Sequence, residues 1–236
     1  MKFESSLKPY LEGKKFSNGI SFRIASASQN IDRLSYIEDF CRDKKVIHLG
    51  FADHLPLISE KILNNNWLHS RIINVASKCI GIDVDKDAIE YIQKHYSYPD
   101  LYLHNIITDA VLPAITNDQW DVMVLGEIVE HLDNPVAFLA ELHKKYGKNI
   151  KQLIVTVPNA LDFTNIRMAK NHKEAINSDH RFWFTPYTLA RVAVAGGWQP
   201  DNFDFCQTFL PHKWYYRWIV NKYPAFRETL VMVLNS

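Results

Sequence analysis

The sequence predicts an α/β fold built on a largely parallel sheet. Three observations carry that expectation: short β-branched runs alternate with stretches of helical periodicity, several runs end in a turn signal, and no internal repeat, low-complexity tract or linker interrupts them. The chain has 236 residues, enough for one large α/β domain that buries roughly 70% of its unfolded surface.

The elements follow in order. Residues Met1 to Asn30 read as a variable lead-in, and 31–236 as the domain proper. Ile31, Leu34, Ile37 and Phe40 fall near helical spacing, and the stripe ends before Lys44-Lys45. Val46-Ile47-His48-Leu49-Gly50 is the first strand and its turn. A long helix is expected from about Leu55 to Ser77, burying Ile58, Ile62, Trp67, Leu68, Ile72 and Ile73. Strand two is Ile80 to Val84, within Gly81-Ile82-Asp83-Val84-Asp85, and a short helix runs from Asp85 to His95. Leu101 to His104 is strand three and Asp121 to Leu125 strand four; Val136 to Lys145 is a helix with Phe138, Leu139 and Leu142 facing inward. Strand five is Leu153 to Val157. Thr185 followed by Pro186 predicts an N-cap with proline in the first turn, so a helix runs to Ala195, where Gly196-Gly197 stops it. Phe203 to Gln207 and Thr229 to Leu234 are expected to close the sheet as an antiparallel hairpin.

Bulk properties narrow the function. Lys plus Arg number 27 against 26 for Asp plus Glu, so the net charge of +1 supplies no field for nucleic acid, and a nucleic-acid substrate is disfavoured. Cys41, Cys79 and Cys206 are odd in number and set in apolar patterns, which predicts reduced core thiols in a cytoplasmic protein. No signal peptide or spanning segment is visible, since no apolar run reaches the ~18 residues a bilayer crossing needs. A dinucleotide enzyme is also disfavoured. Gly50 and Asp83 lie 33 residues apart, beyond the ~20 of that fingerprint, and no Gly-x-Gly-x-x-Gly is present.

The stretch Trp120 to Pro135 runs from an apolar strand into the acidic, histidine-bearing turn Glu127-Ile128-Val129-Glu130-His131-Leu132 and then a helix start at Asn134-Pro135. With the two upstream strand ends, it resembles the cofactor half of a class I S-adenosylmethionine-dependent methyltransferase of small-molecule type. Ile154-Val155-Thr156-Val157-Pro158-Asn159 is similar to that family's fifth strand. His180-Arg181-Phe182-Trp183-Phe184-Thr185-Pro186, followed by Gly196-Gly197-Trp198, is similar to its acceptor-covering segment. Gly50-Phe51-Ala52-Asp53-His54 and Trp67-Leu68-His69 resemble a subgroup associated with bacterial surface-polysaccharide and glycan loci. The common glycine loop is eroded: His48 replaces an acidic residue, and only Gly50 remains, with Ala52 and His54 at the other glycine positions.

The resemblance implies a Rossmann-like three-layer sandwich, with a mostly parallel seven-stranded sheet and a C-terminal antiparallel hairpin. It implies S-adenosylmethionine as cofactor, held by Gly50, Phe51, Asp83, Val84, Asn105, Ile106 and Glu127. Asp83 is the expected ribose ligand, because a bidentate acceptor fits a cis-diol, with Asp85 capping the next helix. Asn105 or Asp109 would meet the adenine amino group, and Ile106 would wall the ring. His131 and His180 are the candidate bases, since imidazole titrates near neutrality; the alternative for each is a structural hydrogen bond or packing role. His48, His54, His69 and Asp53 do not form a recognised ligand set, so no metal is expected.

The implied activity is methylation of a small-molecule or glycan acceptor, a sugar hydroxyl first. A non-catalytic binding module and a quinone or aromatic acceptor stand as alternatives. The aromatic and basic tail 211–226 offers three roles: stacking on sugars, peripheral membrane contact, or a packed helix with Trp214, Tyr215 and Trp218 on one buried face. The sequence does not set the oligomeric state.

Overall fold

Seven strands make the sheet: β1 Lys45–Leu49, β2 Lys78–Asp83, β3 Leu101–Leu103, β4 Trp120–Gly126, β5 Ile150–Pro158, β6 Gln199–Cys206 and β7 Thr229–Asn235. Their spatial order is β3-β2-β1-β4-β5-β7-β6. This is the mixed, mostly parallel Rossmann-like sheet that the sequence implied. The computed structural model describes residues 1–24, 29–53, 55–209 and 211–236. Ten α-helices among the described residues accompany the strands: α1 Lys8–Leu11, α2 Arg33–Cys41, α3 Leu55–Leu63, α4 Leu68–Val75, α5 Lys86–His95, α6 Pro113–Thr116, α7 Pro135–Tyr146, α8 Phe163–Lys170, α9 Pro186–Ala195 and α10 Trp214–Lys222.

The chain forms two compact units. One holds Leu34–Gly126 and Glu141–Ile154 with Ser236. Within it β1 pairs in parallel with both β2 and β4, Ile47 lying opposite Ile80 and Met123, and β2 pairs in parallel with β3. Val46, Ile47, Val122, Val124 and Leu125 are fully buried, so β1 and β4 lack the polar alternation of a half-solvated sheet. Strand order reverses between β1 and β4, and such a reversal is where open α/β sheets bind ligands, beyond the carboxyl ends of the strands.

The other unit holds Met1–Arg33, Glu127–Ala140 and Val155–Asn235. Its β6 and β7 pair antiparallel, Phe203 opposite Met232, as the expected hairpin required. The amino-terminal segment is fastened to β6: Phe203 N–H donates to the Met1 carbonyl at 2.8 Å, and the Phe3 and Phe203 rings lie 4.7 Å apart. Thr185 caps α9 through a reciprocal box with Thr188, as its sequence predicts.

Three expectations are corrected. The helix expected from Leu55 to Ser77 is two helices, because Asn64-Asn65-Asn66 interrupts it with Asn65 left-handed at φ 53°. The stretch Phe163–Lys170, where no element was expected, is α8, started by the Asp162 carboxylate accepting from Thr164 N–H at 3.1 Å. In α10 the expected buried aromatic face is open: Trp214 is 80% and Trp218 53% exposed, while Val220 is buried. Lys222 stands 4.7 Å from the Trp218 ring, a cation–π contact that tolerates solvent.

Candidate functional site

The ends of β1 and β2 are joined by one carboxylate. Gly50 follows β1 at φ 68°, a conformation that glycine adopts without the Cβ penalty, and its N–H donates to the Ile82 carbonyl at 2.8 Å. Asp83 Oδ2 then accepts from Ala52 N–H at 2.8 Å, while Oδ1 accepts from Val84 N–H at 2.7 Å and Asp85 N–H at 3.0 Å. The loop after β1 is therefore tied to the end of β2. Burial raises the Asp83 pKa, and the three backbone donors oppose that rise. Asp85 caps α5 through Ala88 N–H at 3.0 Å, as expected.

The Phe51 side chain is turned into the core. It is 1% exposed, its ring is 4.7 Å from that of His69, and its carbonyl accepts from Trp67 Nε1 at 3.0 Å. The side chain thus anchors the loop in the core and leaves backbone for a ligand. Val84, by contrast, is 64% exposed. His48 and His69 meet through their Nδ1 atoms at 3.2 Å, both buried, and burial pushes the His69 pKa well down. They form a core pair. Asp53 is paired with Lys61, and His54 lies outside the described residues.

Asn105 closes a turn after β3. Its Oδ1 accepts from Ile107 N–H at 3.0 Å and Thr108 N–H at 3.1 Å, while its own N–H donates to Asp109 Oδ2 at 2.8 Å. Asn105 and Asp109 therefore build one turn together, and Ile106 is buried beside it. Lys145 holds the same turn through the carbonyls of Ile107 at 2.5 Å and Asp109 at 2.8 Å, a support that the sequence did not reveal.

A second cluster lies in the unit that contains Glu127, Glu130, His131 and His180. Glu127 comes directly after β4 and is left-handed at φ 57°, a strained conformation for a residue with a Cβ. Its N–H donates to the Thr156 carbonyl at 3.0 Å. The ring centroids of His131 and His180 are 4.6 Å apart, edge to face at 82°. Glu130 is fully buried; burial, reinforced by the Glu127 carboxylate, raises its pKa to about 8. Burial, then the His131 neighbour, lowers the His180 pKa, so its imidazole is neutral at pH 7.

Sequence reasoning missed the residue that holds this turn. Arg181 N–H donates to the Glu130 carbonyl at 2.8 Å, its Nη1 donates to the His131 carbonyl, and its Nε pairs with Asp133 at 2.7 Å. The turn is secured by Arg181, and the Glu130 side chain takes no part in it. In the same unit, a cavity of about 340 Å³ is lined by Asn165, Met168, Lys173, Glu174 and Trp183 among others.

The cradle at the ends of β1 and β2 fits the adenosine part of the implied cofactor. Left-handed Gly50 permits close backbone approach, and Asp83 Oδ2, with one donor against two on Oδ1, keeps a lone pair for a ribose hydroxyl. Comparisons with known proteins agree. A model described as a methyltransferase domain matches residues 64–148. No curated protein matches the chain. The structure is similar to that of small RNA methyltransferase HEN1, with a TM-score of 0.56 at 14% identity, over 93% of this chain and 27% of that one. The chain thus spans about a quarter of the HEN1 chain's length. It is also similar to magnesium protoporphyrin IX methyltransferase from Synechocystis with bound SAH, with a TM-score of 0.53 at 10% identity over 86% and 82% of the two chains. A third likeness is to a cyclopropane-fatty-acyl-phospholipid synthase-like protein from Lactobacillus casei, with a TM-score of 0.52 at 14% identity over 86% and 89%. At such identities the likeness establishes fold. Residues 64–148 match a methyltransferase domain, and the fold is the Rossmann-like fold of S-adenosylmethionine-dependent methyltransferases.

Proposed function

We propose that the protein methylates a hydroxyl of a small glycan or sugar-bearing acceptor. The observation that carries this is the half-buried His131 and His180 pair, beside Glu130 and Glu127 in the turn that Arg181 holds. S-adenosylmethionine supplies an electrophilic methyl group on a sulfonium, so the protein must orient the acceptor and deal with its proton. In this reading Gly50, Asp83, Val84, the Asn105 turn and Ile106 hold the cofactor. The histidine cluster activates the acceptor hydroxyl.

The cavity supports a sugar over a wholly apolar acceptor. Trp183 offers a ring face, and Asn165, Lys173 and Glu174 offer hydroxyl partners, in a volume within the usual range for small-ligand pockets. Exposed Trp214 and Trp218 on α10 suit further sugar rings of the same acceptor. No helix among the described residues is long and apolar enough to cross a membrane. With a net charge of +1, a small neutral or sugar-nucleotide acceptor is favoured over a nucleic acid.

The test is turnover. The protein is incubated with labelled S-adenosylmethionine and a panel of nucleotide sugars, oligosaccharides, quinones and short RNAs, and the demethylated cofactor is measured. Turnover with a sugar acceptor, reduced about a hundredfold or more in His180→Ala, supports the proposal. Turnover confined to quinones or RNA would replace it.

A further inference from the structure

We propose that Glu130, His131 and His180 hold one divalent cation. Each offers a ligand atom, and these atoms lie within 4.8 Å of one another. Ligands about 2.1 Å from one cation stand roughly 3 to 4.2 Å apart, so small rotamer adjustments close this set around an ion.

The orphaned polar atoms point the same way. Glu130 is fully buried, and its carboxyl faces that of Glu127 with no basic side chain of the described residues bonded to either oxygen. His180 Nδ1 and Glu127 Oε1 are likewise buried without partners. Buried polar groups are normally satisfied, and facing carboxyls without donors ionise only where a positive charge compensates them. A bound cation supplies that charge.

The second layer is already built. His131 Nδ1 lies 3.2 Å from the Asp179 carbonyl, which fixes Nδ1 as the donor and leaves Nε2 with its lone pair, 3.9 Å from Glu130 Oε1. Metal-bound histidines are oriented by such a bond from the other ring nitrogen. Arg181 fixes the Glu130 and His131 carbonyls from behind. The expectation that the chain holds no metal rests on His48, His54, His69 and Asp53, and this proposal departs from it on a different set, in which His180 lies far in sequence from Glu130 and His131. Two imidazoles and a carboxylate favour Mn²⁺, Fe²⁺, Co²⁺ or Zn²⁺ over Ca²⁺.

Binding stands by itself; the ion's role rests on the proposed hydroxyl methylation. Coordinated to the cation, the acceptor hydroxyl loses its proton to water at neutral pH. The alkoxide then forms an O–CH₃ bond as the S–CH₃ bond breaks, the electron pair of that bond returning to sulfur and cancelling the sulfonium charge.

The test uses the full chain stripped with a chelator. Mn²⁺ is titrated calorimetrically and by loss of its free electron-paramagnetic signal, with thermal melts alongside, for the wild type, His180→Ala and Glu130→Gln. The expected result is one ion per chain, a melting temperature raised by Mn²⁺ in the wild type alone, and binding weakened at least tenfold in each variant. Absence of binding up to about millimolar Mn²⁺, or binding that both variants leave within twofold, overturns the proposal. Should a variant fail to fold, the visible spectrum of Co²⁺ added to the wild type decides: imidazole-ligated bands support the site, and the hexaaqua spectrum refutes it. A parallel S-adenosylmethionine titration separates failure of the metal site from failure of the methyltransferase reading.

Discussion

Replacing Asp83 by asparagine tests whether one carboxylate joins the ends of β1 and β2. The carboxylate accepts three backbone bonds, from Ala52, Val84 and Asp85, at 2.8, 2.7 and 3.0 Å. Asparagine keeps one acceptor oxygen. Placed at Oδ1 it retains the Val84 and Asp85 bonds, and its NH₂ then confronts the Ala52 N–H; placed at Oδ2 it loses two bonds. The first arrangement is favoured, and it leaves one buried donor unmet, at a cost of about 1–3 kcal/mol. Relief of the buried charge offsets part of this, so the lower half of that range is expected. For a chain of this size the melting temperature falls roughly 2–8 °C. Because Ala52 is freed, S-adenosylmethionine affinity falls at least tenfold as well. Asp85→Asn is the control, since asparagine caps a helix as well as aspartate does, and it leaves both readings near wild type. Asp83→Asn with wild-type melting and wild-type affinity would refute the reasoning.

Other expectations are independent of that loop carboxylate. A Cβ at Gly81 would meet Phe51 Cδ1 at 2.8 Å and both His69 Cε1 and Leu101 Cδ2 at 2.9 Å, so Gly81→Ala costs about 1–3 kcal/mol by chemical denaturation. His69 has a depressed pKa when folded, so the unfolded chain binds more protons below about pH 6.5 and stability is lost as pH falls. That loss can reach at most about 1.4 kcal/mol by pH 5.5, and it is absent from the pH–stability curve of His69→Gln. Thr185→Ala removes the acceptor of the Thr188 N–H, one half of the α9 capping box, and destabilises by about 1 kcal/mol in urea melts. Arg181→Ala keeps the backbone bond to the Glu130 carbonyl but releases the His131 carbonyl and Asp133, lowering turnover at least tenfold while cofactor affinity stays unchanged in calorimetry.

Much of the fold was legible because its strands are continuous β-branched runs. Ile47, Ile82, Val124 and Val155 sit in apolar segments that only a sheet buried on both faces accommodates, and Thr185-Pro186 with Gly196-Gly197 brackets a helix. The break at Asn64-Asn65-Asn66 was also written in the chain, yet apolar periodicity on both sides hid it. Helix α8 carries no buried residue, so hydrophobic spacing had nothing to report. For α10 composition gave aromatic content but not which face meets the core, and Val220 took that place.

At the site, turn and cap geometry follows from local sequence, and the distant pairings do not. Gly50, Asp83 and Asp85 act within a few residues of their strand ends. The meeting of His131 with His180, the burial of Glu130 and the bracing by Arg181 depend on segments far apart in sequence. Phe51 shows the opposite lesson: a residue placed correctly beside a loop turns its side chain into the core, because Trp67 and His69 leave an apolar space there.

The central claim, that the ends of β1 and β2 form an S-adenosylmethionine cradle, is tested most directly by calorimetric titration of the purified chain with S-adenosylmethionine and with its demethylated product. One site per chain in the micromolar range for both ligands is the predicted result. No measurable heat for either ligand up to about millimolar concentration, from a chain that melts cooperatively, would contradict it.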